Sequence, residues 1–388
     1  MKKVIVFRNA TLFSGKGVIQ EPFIEIENGK IIEIGEVKTR HCTGSEEVIE
    51  NKARITIVPG FIDLHIHGAE NADVMDGTVK SIETLQKALL KEGTTAFLPT
   101  TITQSNEEKL QALVNIKDYM NNKSSSGAEI LGVHLEGPFI SKKRAGAQPS
   151  QHICAADLNL FKKFQDASGN SIKLVTMAPE ESGFQLIEYL RDNGIIPSIG
   201  HSDASYVQVL KAIESGICHA THLFNGMRGM HHRDIGVVGA ALLHKELKAE
   251  MIVDGIHISP PMVKLAYQNK GPEGIILITD SMRAKGLKGG IYQLGGQDVF
   301  VKENRAELSN GTLAGSILKM NEAIRNMISF SGCTFQEAIQ MATFNPAKQL
   351  GVSDRKGSLG VGKDADFVVL NDRYEVLQTY TFGNKVYG

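Results

Sequence analysis

Strand and helix patterns alternate through most of this 388-residue chain, and this alternation is the feature that most limits its possible folds. Short apolar runs are followed by segments with helical spacing, as in Ile82, Leu85, Leu89 and Leu90 before Gly93. Such alternation is typical of a parallel sheet with right-handed helical crossovers. Eight runs are predicted as its strands: PGFIDLHIHG (59–68), TAFLPT (95–100), ILGVHLEG (130–137), IKLVTMAPE (172–180), IIPSIGH (195–201), CHATHLFN (218–225), AEMIVDG (249–255) and GIILITDS (274–281).

Seven helices are predicted between these strands, near 78–92, 105–121, 157–168, 183–193, 205–215, 236–245 and 260–269. Eight strand–helix units over roughly 250 residues are the pattern of a (β/α)8 TIM barrel. A doubly wound open sheet is the alternative. It would need a glycine-rich turn or a ligand at a switch point, and the sequence indicates neither.

The two ends of the chain are predicted to form a separate β module. The first 55 residues alternate short β runs with turns, and the Asn28-Gly29 pair between two runs indicates a hairpin. Residues 366–370 and 376–387 are again predicted as strands. We therefore expect a small β-sandwich module built from residues 1–55 plus 355–388, with the barrel domain, 56–354, inserted between. A β excursion over the barrel mouth is expected at 286–313, with helices near 317–329 and 335–343.

Net charge, apolar runs and cysteine spacing argue against several classes of function. The formal net charge is -1, from 42 basic and 43 acidic residues, which argues against nucleic-acid or membrane binding driven by bulk charge. The N-terminus shows no signal-peptide pattern, and no apolar run approaches membrane-spanning length. Four scattered cysteines form no C-x-x-C pair, which indicates neither a zinc knuckle nor a disulfide framework. A reduced, cytoplasmic setting is expected.

Two histidines end the first barrel strand. His65 and His67 are alternate residues of that strand, so their side chains are expected on one face. In a barrel, that face opens at the C-terminal mouth, where barrel enzymes keep their active sites. Two neutral imidazoles in that position suit a divalent transition metal. Hydrogen-bonded core histidines are the alternative interpretation of this pair alone.

Further ligand-type residues stand at the ends of later strands, which favours the metal interpretation. A barrel brings these ends together although they are far apart in the chain. Histidine and carboxylate ligands without cysteine suit Zn²⁺, Fe²⁺, Mn²⁺ or Co²⁺. His134 and His219 lie deeper on their strands and are predicted to support the site or the core. The residues at strand ends are Glu136, His201, His222, Asp254 with His257 just beyond it, and Asp280.

These residues and their surroundings resemble the amidohydrolase superfamily, and within it the N-acetylglucosamine-6-phosphate deacetylases. The similarity extends over nearly the whole chain. HLEGPF and HLFNGM together are specific to the deacetylases within the superfamily. The matching segments are PGFIDLHIHG, GVHLEGPFI, IGHSDAS, THLFNGM, VDGIH, ITDSM, GTLAGS and GSLGVGKDADFVVL.

The resemblance implies a metal-dependent hydrolysis of N-acetyl-D-glucosamine 6-phosphate to D-glucosamine 6-phosphate and acetate, in amino-sugar catabolism and cell-wall sugar recycling. Glu136, His201 and His222 match the principal metal ligands of the family. His65 and His67 match a second-metal pair, so one or two ions per subunit are implied. Asp280 matches the general acid/base that serves a metal-activated water and the leaving amine.

The resemblance also implies a phosphosugar site and a homodimer or homotetramer. Arg233 and His257 match phosphate contacts, and the arginine can come from the neighbouring subunit. Gln148 departs from the histidine often found at its position; it can donate a hydrogen bond but cannot become cationic. The positions that match sugar contacts are Ala147, Gln148, Asn225, Gly226, Leu313, Ala314 and Gly315.

Other functions fit less well. A hydantoinase or dihydroorotase usually needs a bridging lysine on the fourth strand, and that strand ends TMAPE. A nucleobase deaminase would leave HLFNGM and the Arg233 loop unexplained. A non-catalytic barrel used for binding would be expected to lose ligands, and none is lost here. Residues 357–363, GSLGVGK, match the start of a phosphate-binding P-loop, but Asp364 replaces Ser or Thr and a strand follows, so that motif is rejected.

Overall fold

The computed structural model describes residues 2–15, 17–40, 46–122 and 127–388. Its N-terminal strands are as expected from the sequence. Asn28 and Gly29 both have positive φ, 51° and 79°, as a tight hairpin between β3 and β4 requires. The strands are β1 Lys2–Phe13, β2 Val18–Gln20, β3 Pro22–Glu27, β4 Lys30–Glu36 and β5 Glu47–Pro59.

Eight parallel strands then form a nearly closed barrel, as predicted. Neighbours in the barrel follow the chain order, and β10 is a short extra strand beside β9. Closure joins the first strand to the residues after the last: Asp280 N donates to His65 O at 2.8 Å, and His67 N donates to Ser281 O at 2.9 Å. The strands are β6 Phe61–Ile66, β7 Gly68–Ala69, β8 Ala72–Asp73, β9 Thr94–Thr101, β10 Glu129–Ile130, β11 Val133–Glu136, β12 Ile172–Met177, β13 Ile196–Ile199, β14 His219–Ala220, β15 Lys248–Ile252 and β16 Ile275–Ile278; β7 and β8 pair outside the barrel.

Several strands are shorter than predicted, and the backbone gives the reason. The sixth barrel strand was expected over 218–225 but covers only β14, because His222 and Phe224 have φ of 34° and 81°, which no strand residue adopts. Gly132, with φ 149°, separates β10 from β11 where one strand was expected.

Helices surround the barrel and pack on it through a single apolar core. The helix predicted near 183–193 begins only after Gly183, whose φ of 59° ends a preceding short helix. The helices are α1 Val79–Leu90, α2 Asn106–Asn121, α3 Leu158–Ala167, α4 Pro179–Ser182, α5 Gln185–Asp192, α6 Tyr206–Ser215, α7 Gly236–Leu243, α8 Pro260–Lys270, α9 Met320–Ser331, α10 Phe335–Ala342 and α11 Phe344–Gln349, with short 3-10 turns at Val37–Thr39, Val74–Asp76, Lys142–Arg144, Ser150–His152 and Pro272–Gly274.

The predicted β excursion is a three-stranded antiparallel sheet of β17 Gly290–Leu294, β18 Gln297–Lys302 and β19 Arg305–Glu307. Leu294 at its edge lines the cavity at the barrel mouth.

The predicted module from both termini is confirmed. Its C-terminal strands are β20 Phe367–Leu370, β21 Val376–Thr381 and β22 Asn384–Tyr387, and β20 pairs with β5. All eight strands belong to one hydrogen-bonded sheet, in the order β22-β21-β20-β5-β1-β3-β4 with β2 beside β1. One apolar cluster unites both ends of the chain, including Ile5, Ile24, Ile57 and Phe367. The division of the chain at residues 55 and 354 stays a prediction.

Cys154, Cys218 and Cys333 are free thiols, and Cys42 lies outside the described residues. Across the described ranges, no helix combines the length and the apolar character needed to cross a membrane.

Candidate functional site

The histidines and carboxylates at the strand ends converge at one point of the barrel mouth. Glu136, at the end of β11, lies at the centre. Its Oε1 is 3.2 Å from Nε2 of both His201 and His222, and its Oε2 is 3.4 Å from Nε2 of His67. His65 Nε2 lies 3.6 Å from Oε1 of Glu136. The five predicted metal ligands therefore form two groups that share Glu136.

Backbone turns aim these side chains at the mouth. His201, His222 and Asp280 each follow the end of a barrel strand, and each has a positive φ, of 46°, 34° and 48°. Residues other than glycine rarely adopt this conformation, and it is concentrated at functional sites. The turn at each residue directs the side chain into the centre rather than along the sheet.

The hydrogen bonds of the imidazoles set their tautomers. His201 Nδ1 lies 2.8 Å from the carbonyl oxygen of Arg144, and His67 Nδ1 lies 3.1 Å from that of Thr100. His65 Nδ1 lies 3.1 Å from a carboxylate oxygen of Glu250. Each of these oxygens can only accept, so each Nδ1 donates, and in the neutral ring each Nε2 presents a lone pair to the centre.

The Nε2 atoms of these three rings and of His222 face one another, which tests whether a cation fits. The Nε2 atoms of His201 and His222 are 3.1 Å apart, and those of His65 and His67 are 3.3 Å apart. Lone pairs at these distances from each other and from the oxygens of Glu136 repel unless a cation or a proton lies between them. Nitrogen and oxygen donors with this separation suit a divalent transition metal. The residues present therefore fit a metal centre.

The pKa values agree with a site that attracts positive charge. Burial opposes protonation of His67, but Asp280 and Glu136 outweigh it and raise its pKa to about 9. Burial would likewise raise the pKa of Glu136, but His65, His201 and His222 hold it well below its usual range. A cation on the Nε2 atoms would replace the proton that these carboxylates favour.

Asp280 lies beside the second histidine pair. Its Oδ1 is 3.2 Å from His67 Nε2 and 3.5 Å from His65 Nε2. Burial acts to raise the pKa of Asp280, but the His65 and His67 imidazoles outweigh it and lower that pKa. The carboxylate is therefore ionised at neutral pH and can accept a proton within reach of the same centre.

A cavity of about 240 Å³ opens over the centre. Gly226 is required at its wall, because a Cβ there would lie 2.8 Å from His201 Nδ1. Most residues predicted to contact substrate line this cavity: Ala147, Gln148, Asn225, Gly226, His257, Leu313 and Gly315.

Two predicted substrate residues lie elsewhere. Ala314 is fully buried in the apolar cluster behind the cavity, with Met282 and Leu294. Arg233 is exposed, and its Nη1 lies 2.6 Å from His232 Nε2. Within the described chain, Arg233 does not line the cavity.

His257 is held by its neighbour in the chain. Its Nδ1 donates to Oδ2 of Asp254 at 2.7 Å, and Oδ1 of Asp254 accepts from the backbone N–H of Ile256 and His257. Burial acts to raise the pKa of Asp254, but His257 outweighs it and lowers that pKa. The ionised Asp254 therefore fixes the orientation of the His257 imidazole, which lines the cavity.

Glu250 is a functional residue that sequence reasoning missed. It is fully buried on β15, and its carboxylate accepts from His65 Nδ1 at 3.1 Å, His219 Nε2 at 3.0 Å and His222 N at 3.2 Å. The predicted supporting role of His219 and of His134 agrees with their buried hydrogen bonds. The only signal in the sequence was a carboxylate between the apolar residues Ala249 and Met251 of the strand KAEMI.

A second cluster of carboxylates lies outside the barrel mouth and is already paired with side-chain cations. Glu129, Asp364 and Asp366 also lie close enough to share an ion. However, Lys356 lies 2.7 Å from Glu129 and 3.1 Å from Asp364, and Arg355 contacts the same carboxylates. Side-chain cations already neutralise this group, which joins the barrel to the terminal module.

Comparisons with known proteins agree with the predicted family. The model of the Amidohydrolase family matches residues 56–386. The N-acetylglucosamine-6-phosphate deacetylase of Bacillus subtilis (strain 168) is 46% identical over 387 residues, which cover 99% of this chain and 97% of that protein. The crystal structure of N-acetylglucosamine-6-phosphate deacetylase from Pasteurella multocida superposes with a TM-score of 0.92 at 31% identity, covering 99% of each chain.

A further solved structure contains a ligand. An aspartate-to-alanine mutant of N-acetyl-D-glucosamine-6-phosphate deacetylase from Mycobacterium smegmatis, in complex with N-acetyl-D-glucosamine-6-phosphate, superposes with a TM-score of 0.92. It is 28% identical to this chain and matches over the full length of both chains.

Proposed function

This chain belongs to the amidohydrolase family, and from that premise we propose that it hydrolyses N-acetyl-D-glucosamine 6-phosphate to D-glucosamine 6-phosphate and acetate. The observation that supports this most is the convergence of four histidines, Glu136 and Asp280 beneath a cavity of about 240 Å³. A cavity of this size accommodates a small ligand such as a single sugar. The biological setting we propose is amino-sugar catabolism and cell-wall sugar recycling in the cytoplasm.

We propose two ions per subunit, drawn from Zn²⁺, Fe²⁺, Mn²⁺ and Co²⁺. Glu136, His201 and His222 would hold one ion, and His65, His67 and Glu136 would hold the other. The support is that Oε1 of Glu136 lies 3.2 Å from Nε2 of both His201 and His222, while its Oε2 lies 3.4 Å from Nε2 of His67. When bound, such ions lower the pKa of a water and polarise the acetamide carbonyl.

Asp280 is proposed as the general acid/base. Its ionised carboxylate, 3.2 Å from His67 Nε2, accepts the proton of the attacking water. The same carboxyl group then delivers a proton to the sugar nitrogen, because an amine anion is too poor a leaving group to depart unprotonated. One side chain thus serves both halves of amide hydrolysis.

The sugar is proposed to lie against Ala147, Gln148, Asn225, Gly226 and the turn Leu313-Ala314-Gly315. All except Ala314 line the cavity. Ala314 would act through its backbone, since its side chain is buried behind the wall. His257, oriented by its hydrogen bond to Asp254, is proposed to bind the 6-phosphate from inside the cavity.

Arg233 is proposed to reach the phosphate of a neighbouring subunit in a homodimer or homotetramer. Its exposed position supports this, because an arginine fork suits phosphate and, in the part of the chain that the structure describes, Arg233 does not line the cavity of its own subunit. Apolar side chains are exposed on adjoining elements: Met230 is 55% exposed and Leu243 62% exposed. A subunit contact over these side chains would remove their apolar surface from water.

A substrate screen with quantified metal tests the proposal. Purified protein is assayed for acetate release from N-acetylglucosamine and N-acetylgalactosamine, each with and without the 6-phosphate. We expect the phosphorylated glucosamine derivative to give the highest kcat/KM, and chelation of the metal to abolish it. Equal rates with and without phosphate would contradict the roles of Arg233 and His257. Metal-loaded protein that releases no acetate from any of these compounds would favour a non-catalytic barrel.

A further inference from the structure

We propose that Gln148 is a positioning residue, which fixes the carboxylate of Glu136 so that its Oε2 faces His67 while its Oε1 faces His201 and His222. This role is distinct from a contact with the sugar. It rests on the proposed metal centre, and it makes the neutral amide of Gln148 part of what determines occupancy of the His65/His67 position.

The orientation of the Gln148 amide is determined by its partners. Its Oε1 accepts a hydrogen bond from the backbone N–H of Thr103 at 2.8 Å. A backbone N–H can only donate, so the oxygen must lie on that side and the NH₂ group on the other. The NH₂ group donates to Oε2 of Glu136 at 2.7 Å. Gln148 is only 6% exposed, so both bonds lie in a largely dry environment.

The backbone around Gln148 is anchored as well. Gln148 N donates to Ala145 O at 2.9 Å, and Gly146 between them has a φ of 58°. Gln297 Nε2 donates to the carbonyl oxygen of Ala147 at 2.7 Å, which ties the same loop to the β excursion. The side chain of Gln148 thus connects two fixed points, the residues following β9 and the carboxylate at the end of β11.

Glu136 needs an external constraint to bridge two groups. Its Oε1 is shared by His201 and His222, and its Oε2 is the oxygen that faces His67. Rotation of the carboxylate about its terminal bond would take Oε2 away from His67. Since Gln148 is the donor to Oε2, loss of that bond frees this rotation and first disturbs the contact between Oε2 and His67. Partners that orient metal ligands in this way typically change metal affinity by about 10- to 100-fold.

The neutrality of the donor also matters. A cationic donor on Oε2 would compete electrostatically with an ion at the His65/His67 position. The amide supplies a hydrogen bond without adding positive charge. Glutamine therefore suits a centre that holds two cations beside one shared carboxylate.

Two substitutions test this inference. Gln148→Glu keeps the shape and the acceptor for Thr103 N–H but places a carboxylate against Glu136. Gln148→Met keeps the length and removes both hydrogen bonds. Gln297→Met is the matched control, because it loosens the same loop without touching Glu136. Metal content per subunit is measured after dialysis against a weak chelator, and Co²⁺ titrations are followed calorimetrically and by visible absorption.

We expect Gln148→Met to lose one ion per subunit, with affinity lowered at least about ten-fold, and a changed Co²⁺ spectrum. Gln148→Glu is expected to change the affinity and the spectrum as well, while Gln297→Met keeps the wild-type metal content. Circular dichroism and elution volume verify the fold of each variant. If both Gln148 variants fold and bind metal as the wild type does, with only KM raised, Gln148 is a substrate contact and the inference is wrong. These metal measurements need no substrate, so they hold even if the deacetylase assay fails.

Discussion

His65 Nδ1 donates a hydrogen bond of 3.1 Å to a carboxylate oxygen of Glu250, a fully buried residue that does not face the cavity. The same carboxylate accepts from His219 Nε2 and from the backbone N–H of His222. Glu250 therefore contacts residues of both proposed metal positions. Burial acts to raise its pKa, but His65 and His219 hold that pKa well below its usual range, so Glu250 brings a full negative charge beneath the centre.

Glu250→Gln is expected to weaken metal binding without unfolding the protein. The amide keeps the size and one acceptor oxygen but removes the charge that strengthens His65 as a ligand, so we expect a loss in affinity of about 10- to 100-fold. Calorimetric titration with Zn²⁺ measures it. The control is Glu92→Gln, a buried carboxylate 2.8 Å from Lys285, which should lower stability but leave metal affinity unchanged. Unchanged affinity in Glu250→Gln would contradict the role of its charge.

Asp280→Asn is expected to separate catalysis from metal binding. The amide cannot take a proton from water, so acetate release should fall by about 10²- to 10⁴-fold. The metal content should stay close to that of the wild type, because Glu136 and the four histidines remain. Steady-state kinetics and elemental analysis on the same preparation test both statements. A variant that loses its metal in parallel with its activity would instead make Asp280 a ligand.

Asp254→Asn is expected to weaken recognition of the phosphate. The Asp254 carboxylate orients His257 through a hydrogen bond of 2.7 Å and places a negative charge beside its imidazole, and the amide removes that charge. KM for the 6-phosphate substrate should rise about ten-fold, while the low activity on unphosphorylated N-acetylglucosamine changes little. Asp298→Asn makes the same charge change at an exposed site on β18 and serves as the control. An equal loss on both substrates would show that Asp254 acts on the catalytic centre instead.

Mixing two inactive variants tests whether Arg233 acts across a subunit interface. In a mixed dimer of Arg233→Ala and Asp280→Asn subunits, one site regains both a wild-type Asp280 and a wild-type Arg233 if the arginine comes from the partner. After random exchange between equal amounts of the two variants, about half of the dimers are mixed, and each mixed dimer has one complete site. About one quarter of all sites should then be active in a two-fold dimer. No recovery after verified subunit exchange would place the arginine within its own subunit, or outside the reaction.

Lys109→Met is expected to stabilise the protein more at neutral pH than at pH 10. Lys109 is fully buried on α2, 5.0 Å from the ring centroid of Phe164, and burial lowers its pKa to about 7. The pKa in the unfolded chain is about 10.4, so between pH 7 and pH 10 the unfolded chain binds more protons. The stability of the wild type therefore rises with pH across that window.

The gain in free energy of unfolding from Lys109→Met should be about 4 kcal/mol at pH 7 and below about 1 kcal/mol at pH 10. Urea denaturation at pH 7, 8.5 and 10 measures it. Lys87→Met on the exposed side of α1 is the control and should show no such trend. A gain that stays constant with pH would mean that Lys109 is charged throughout.

The sequence predicted the barrel well because its evidence is local and repeated. Each strand is a short apolar run, each helix has its own spacing, and the ligands stand at strand ends, which a barrel gathers by its topology alone. Errors occurred where local signals conflict with backbone geometry. The run 218–225 has the composition of a strand, yet His222 and Phe224 take left-handed conformations that end it after Ala220. Nothing in the composition of that run distinguishes such a turn.

The sequence by itself therefore determined the family, the barrel, the terminal β module and the residues that surround the centre. Only the tertiary structure decided which side chains orient them. Glu250 meets His65 across 185 positions, and Gln148 connects Thr103 to Glu136. The tertiary structure also placed Arg233 outside the cavity of its own subunit. The physical reason is that a hydrogen bond requires its donor–acceptor distance to be right within a few tenths of an ångström and its direction to be right as well. Both are fixed only when distant strands pack together.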